Sequence, residues 1–141
     1  MNNSDINTIK EFRRFINTYI YPETAYMIAA RIGEECMTSE IIYESTPQAT
    51  IKFRSKIKYD NNLSNYTQLI HTILKIIFIE YFNNVQISSL IKNKIHTEIQ
   101  DENLKNSLRN SLLEIQNGNP LYLGLLFNIT ILNDQNVYLY L

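Results

Sequence analysis

The sequence predicts an α+β fold: a single small domain, residues 1–141, of about five helices packed on an antiparallel sheet made of two hairpins. Three observations predict it. Apolar residues recur at three- and four-residue steps through most of the chain, strict alternation replaces that period over residues 50–59, and a second extended tract follows Asn117-Gly118-Asn119-Pro120. Hairpins set between runs of helices, in the order α-α-β-β-α-α-α-β-β, argue for helices covering an antiparallel sheet. With 141 residues, 45% apolar and 19% charged, the chain is long enough to bury one core and short for two.

Taken in order, Ile6, Ile9, Phe12, Phe15, Ile16, Tyr19 and Ile20 mark an amphipathic helix. Ser4 and Asp5 are cap candidates, and Thr8 with Glu11 has capping-box spacing. Tyr21-Pro22 is expected to break this helix. Pro22 would then open a second one, with Glu23 favourable in its first turn and Tyr26, Ala29, Ala30, Ile32, Cys36 and Met37 along it.

The period changes at residue 40. Residues 40–44 read as a short strand, 45–48 as a turn and 50–59 as a second strand. Because side chains alternate along a strand, Ile51, Phe53, Ile57 and Tyr59 share one face, and Lys52, Arg54, Lys56 and Lys58 share the other.

A polar loop over 60–64 leads into a helix that reaches about Asn84. It is nearly apolar all round between Leu69 and Phe82, so it should be covered on most sides and lie against the sheet. Ile87, Ile91, Ile95 and Ile99 form the narrow stripe of the next helix. Asp101 caps the last, whose stripe is Leu104, Leu108, Leu112 and Ile115; Gly118 and Pro120 end it. Leu125, Phe127, Ile129 and Ile131 then alternate, and after a turn at 133–136 the tract 137–141 completes the second hairpin.

Composition narrows the source and the compartment. The chain has 22 isoleucines and 18 asparagines against 3 glycines, 4 alanines and 3 prolines, the bias of an AT-rich genome such as that of a virus, a phage or a low-GC bacterium. No amino-terminal tract joins a basic stretch to an apolar run and a small-residue cleavage site, so no secretion signal is expected. The apolar run at 69–82 contains His71, Lys75 and Glu80 and is too short to cross a bilayer, so no membrane role is expected. A lone cysteine, Cys36, allows no internal disulfide and suits a reducing cytoplasmic setting.

Nothing nominates a catalytic, metal or cofactor site. Cys36 follows Glu34 and Glu35, which disfavour a thiolate. His71 and His96 fall on different helices without a metal-ligand spacing, and the acidic pairs Glu34-Glu35 and Asp101-Glu102 diverge on a helix. Phosphate-loop and nucleophile-elbow motifs are missing from the sequence.

Over seven residues, Ala29-Ala30-Arg31-Ile32-Gly33-Glu34-Glu35 resembles the Ile-Gly-acid core of the groove-docking helix of apoptosis regulators. The large leucine usual three positions before Ile32 is Ala29 here, and no family is assigned on it.

Charge is uneven along the chain. The formal net charge is -1, yet residues 46–100 hold seven basic and three acidic side chains. The leading expectation is a small non-catalytic intracellular interaction protein that binds a protein partner. A homodimer would form if the carboxy-terminal strand, Val137, Tyr138, Leu139 and Tyr140, were a free edge. The alternative is a nucleic-acid or anionic-ligand binding protein that uses Lys52, Arg54, Lys56 and Lys58. A merely solvated outer face would carry the same cations. Phe53 and Tyr59 fall on the opposite face, so this strand alone supplies no stacking platform for bases.

Overall fold

The structure, a computed structural model, describes residues 3–45, 49–55, 63–118, 126–132 and 136–141. The amino-terminal helical period runs further than Pro22 suggests. Helix α1 (Asn3–Phe15) passes through a π-helical turn (Ile16–Ile20) directly into α2 (Tyr21–Cys36), making one continuous rod where the sequence predicts two helices. In a regular α-helix a proline ring strikes the carbonyl four residues back. Here the turn before it is widened, and the Tyr21 N–H donates to the Ile16 carbonyl five residues back. Pro22 is thereby carried on the exposed side of an unbroken helix.

The same device recurs in the second rod. Helix α3 (Leu63–Ile76) continues as a π-helical segment (Ile77–Phe82), which ends where the Asn83 backbone and side chain both donate to the Phe78 carbonyl, at 3.2 and 2.9 Å. Helix α4 (Val85–Glu98) starts at once, because Asn84 Oδ1 accepts from the N–H groups of Gln86 and Ile87 at 2.9 and 3.1 Å. Asp101 does the same for α5 (Glu102–Gln116), accepting from Asn103 and Leu104 at 2.8 and 3.1 Å. Gly118, at φ +87°, closes α5 and returns its N–H to the Ile115 carbonyl. Four helical rods therefore stand among the described residues, not five helices.

The chain is mostly helical, with a small antiparallel sheet, and belongs broadly to the α+β class. Strand β2 (Ala49–Ser55) pairs with β4 (Asn136–Tyr140), which pairs in turn with β3 (Asn128–Ile131). Strand β1 (Met37–Ser45) joins the outer side of β2 with a register shift between Met37 and Ile41, giving the order β1-β2-β4-β3.

Among the described residues the helix packed on the sheet is α2, which meets β1 and β2; α3, expected there from its apolar girth, makes no comparable contact with a strand. The apolar girth of the α3 rod is covered by helices instead: α2 lies along it, and its π-helical end meets α2, α4 and α5. One side stays open, and Ile79 is 46% exposed.

The core is centred on an aromatic cluster. Phe127, next to β3, makes edge-on contacts with Tyr21, Tyr81 and Phe82, and Phe82 also meets Phe12. Such packing adds to area burial because the ring edge is positive and its face negative. The polar atoms among these rings are satisfied: Tyr81 Oη lies 2.6 Å from Thr24 Oγ1, and the Tyr21 hydroxyl donates to the Leu139 carbonyl at 3.4 Å. Among the described residues, no helix is long and apolar enough to cross a membrane.

Candidate binding face of the sheet

Strand alternation sorts the central strands into two faces. Ile51, Val137 and Leu139 are fully buried under the helices, whereas Lys52, Tyr138 and Tyr140 are partly exposed and Thr130 is exposed. The backbone register places Ile42, Lys52, Tyr138 and Thr130 in one row across all four strands. Within that row Lys52 Nζ stands 5.6 Å from the centroid of the Tyr138 ring, a cation–π contact. Tyr140, opposite Asn128, lies two residues along β4 from Tyr138, about 7 Å on the same side. Arg54 is placed by its backbone alone, opposite Asn136, and Glu44 stands at a register position beside Thr50 near the β1 edge. Lys56 and Lys58 lie outside the described residues.

Two sequence expectations change here. Val137, Tyr138, Leu139 and Tyr140 do not form a free edge, because β4 is hydrogen-bonded to β2 on one side and to β3 on the other. A central position suits a strand with two fully buried apolar side chains, and it leaves no backbone row for a second copy to pair with. The edges belong to β1 and β3. The second change concerns stacking. The cation-bearing strand has no aromatic side chain among the even positions it shares with Lys52, but the neighbouring strand supplies Tyr138 directly beside that lysine. The alternation of Tyr138 and Tyr140 is legible in the sequence; their adjacency to Lys52 depends on a strand pairing that no local pattern records.

The remaining candidates stay dispersed. His71 and His96 are both exposed and sit on different helices, and no group of three metal-ligating side chains forms among the described residues. Cys36 ends α2, and its side chain lies outside the described set. Ile32 is fully buried, so the face on which the apoptosis-regulator resemblance depends is already turned into the core.

A shallow groove of about 260 Å³ runs between α2 and α3, lined by Arg31, Thr72, Lys75, Ile76, Ile79 and Glu80. Its guanidinium is engaged within the chain, 3.5 Å from Glu34 and 3.8 Å from Glu80. Tyr81 is strongly displaced in its titration: burial pushes its phenol well above the ordinary tyrosine range, against a smaller opposing effect of the Thr24 hydrogen bond. A phenol held neutral in a closed core braces the fold and has no access to a substrate.

No family model matches this chain, and no curated protein or solved structure matches it.

Proposed function

We propose that the protein is a non-catalytic binding protein that works through the open face of its sheet, and that the ligand of this face is anionic. The observation that carries the reading is Lys52, held over Tyr138 at the middle of the sheet instead of at its rim. A cation presented on an aromatic surface meets an approaching anion with part of its hydration already replaced. The basic excess of residues 46–100 acts in the same direction. Titration with heparin as a generic polyanion tests it: binding should weaken as salt rises and weaken again in Lys52→Gln and Arg54→Gln. Indifference to both substitutions would end this reading.

A protein partner is the second reading, favoured by the half-exposed Ile79 in the groove between α2 and α3. A bound partner that is lost on Ile79→Asp, and kept on Lys52→Gln, would place the interaction there instead of on the sheet.

A further inference from the structure

We infer that the anionic ligand of the open sheet face is single-stranded nucleic acid, with the Tyr138 ring as a stacking surface for a base and Lys52 as the contact to its phosphate. This rests on the reading of that face as an anion site and narrows it.

The narrowing comes from the tyrosines. A generic polyanion needs cations only, and neither sulfate nor phosphate gains from an aromatic surface. Here the central cation shares its row with an aromatic ring, and a second ring, Tyr140, follows at the next same-side position of β4. Bases stack on such rings without regard to sequence, because every base has a π-face. In a duplex those faces are taken up by neighbouring base pairs, so only a strand with free bases can use Tyr138. The lysine also has a place to go. Its ammonium rides on a flexible four-carbon stem, so it can leave the ring face when a base takes it and meet the adjoining phosphate. Thr130, exposed at the far end of the row, adds a hydroxyl donor within the same line of strands. The surface is thus neutral toward sequence and selective for strandedness.

Fluorescence anisotropy with a labelled thymidine oligonucleotide of about ten nucleotides, the matched duplex and labelled heparin, each at two salt concentrations, separates the possibilities. The expected result is tightest binding of the single strand. Tyr138→Leu should weaken it roughly 5- to 150-fold while Tyr138→Phe holds it near the parent value. Lys52→Gln should lower the salt slope by about one. The chain has no tryptophan, so its tyrosine emission offers an independent reading on the unaltered protein: it should be quenched by the oligonucleotide and not by heparin. Equal binding of single strand, duplex and heparin, with no effect of Tyr138→Leu and no quenching, overturns the single-strand assignment and leaves the anion site standing. No binding of any of the three at low salt overturns both.

Discussion

The hydrogen bond between Thr24 and Tyr81 crosses the core from one helical rod to the other, and its polarity follows from counting hydrogens. Thr24 Oγ1 lies 3.0 Å from the Ile20 carbonyl and 2.6 Å from Tyr81 Oη. Threonine has one hydroxyl hydrogen and the carbonyl can only accept, so Thr24 donates to Ile20 and Tyr81 donates to Thr24. The two ends of the bond are therefore unequal. Thr24→Val keeps the side-chain shape but leaves the Tyr81 hydroxyl, in a residue 1% exposed, without an acceptor, a loss of about 1–3 kcal/mol. Tyr81→Phe removes the donor itself, and Thr24 keeps its bond to Ile20, so the loss is about 0.5–1.5 kcal/mol. In the double variant no buried donor is stranded, and the cost should fall short of the sum of the singles by about 1 kcal/mol. For a chain of this length each kcal/mol moves the melting midpoint by roughly 3–4 °C. Urea unfolding followed by far-ultraviolet circular dichroism measures all three. Additive losses, or a Tyr81→Phe loss larger than that of Thr24→Val, would refute the assigned direction of the bond.

Further outcomes follow from the same geometry. The folded chain holds the Tyr81 proton above the ordinary tyrosine pKa of about 10, so its contribution is fully present below that pH and is lost as pH rises past it, at about 1.4 kcal/mol per pH unit. Urea unfolding should give a level stability from neutral pH to about pH 10 and a fall above it, and Tyr81→Phe should lessen that fall. Asn84→Ala and Asp101→Ala each remove an acceptor that serves two N–H groups, and each should cost about 1 kcal/mol in the same unfolding assay. Gly118→Ala should cost about 1–2 kcal/mol through its positive φ, since an added Cβ would meet Phe78 Cζ only at an ordinary 3.7 Å; Gly118→Asn should cost less.

Local chemistry explains which parts of this architecture could be read in advance. Asp101 stands before the Leu104, Leu108, Leu112 and Ile115 stripe, and Gly118 stands after it, so α5 is written in neighbouring residues. The inward Ile51 and outward Lys52 follow from period two alone. Pro22 misleads because its ordinary effect is local, whereas the π turn that accommodates it is held by the packing of Ile16 and Ile20 in the core. Strand order lies further out of reach. Val137 and Leu139 alternate with Tyr138 and Tyr140 in the same way whether β4 sits at an edge or in the centre, and only the partner on its second side decides. The same gap hid the proposed binding face, since Lys52 and Tyr138 become neighbours only through that pairing.

The Lys52–Tyr138 seam also sets the order in which the molecule can mature. Each hairpin closes over a short stretch of chain, but joining them brings together residues 52 and 138, with most of the helices strung between. Closing so long a loop carries an entropic penalty that local turns escape, and contacts of this kind form late. The two halves of the proposed ligand surface are therefore expected to meet late, after the local hairpins and helices have formed. A substitution among the rods, such as Thr24→Val, should on warming reduce the fraction of molecules that present the Lys52–Tyr138 row, although Thr24 is not part of that row.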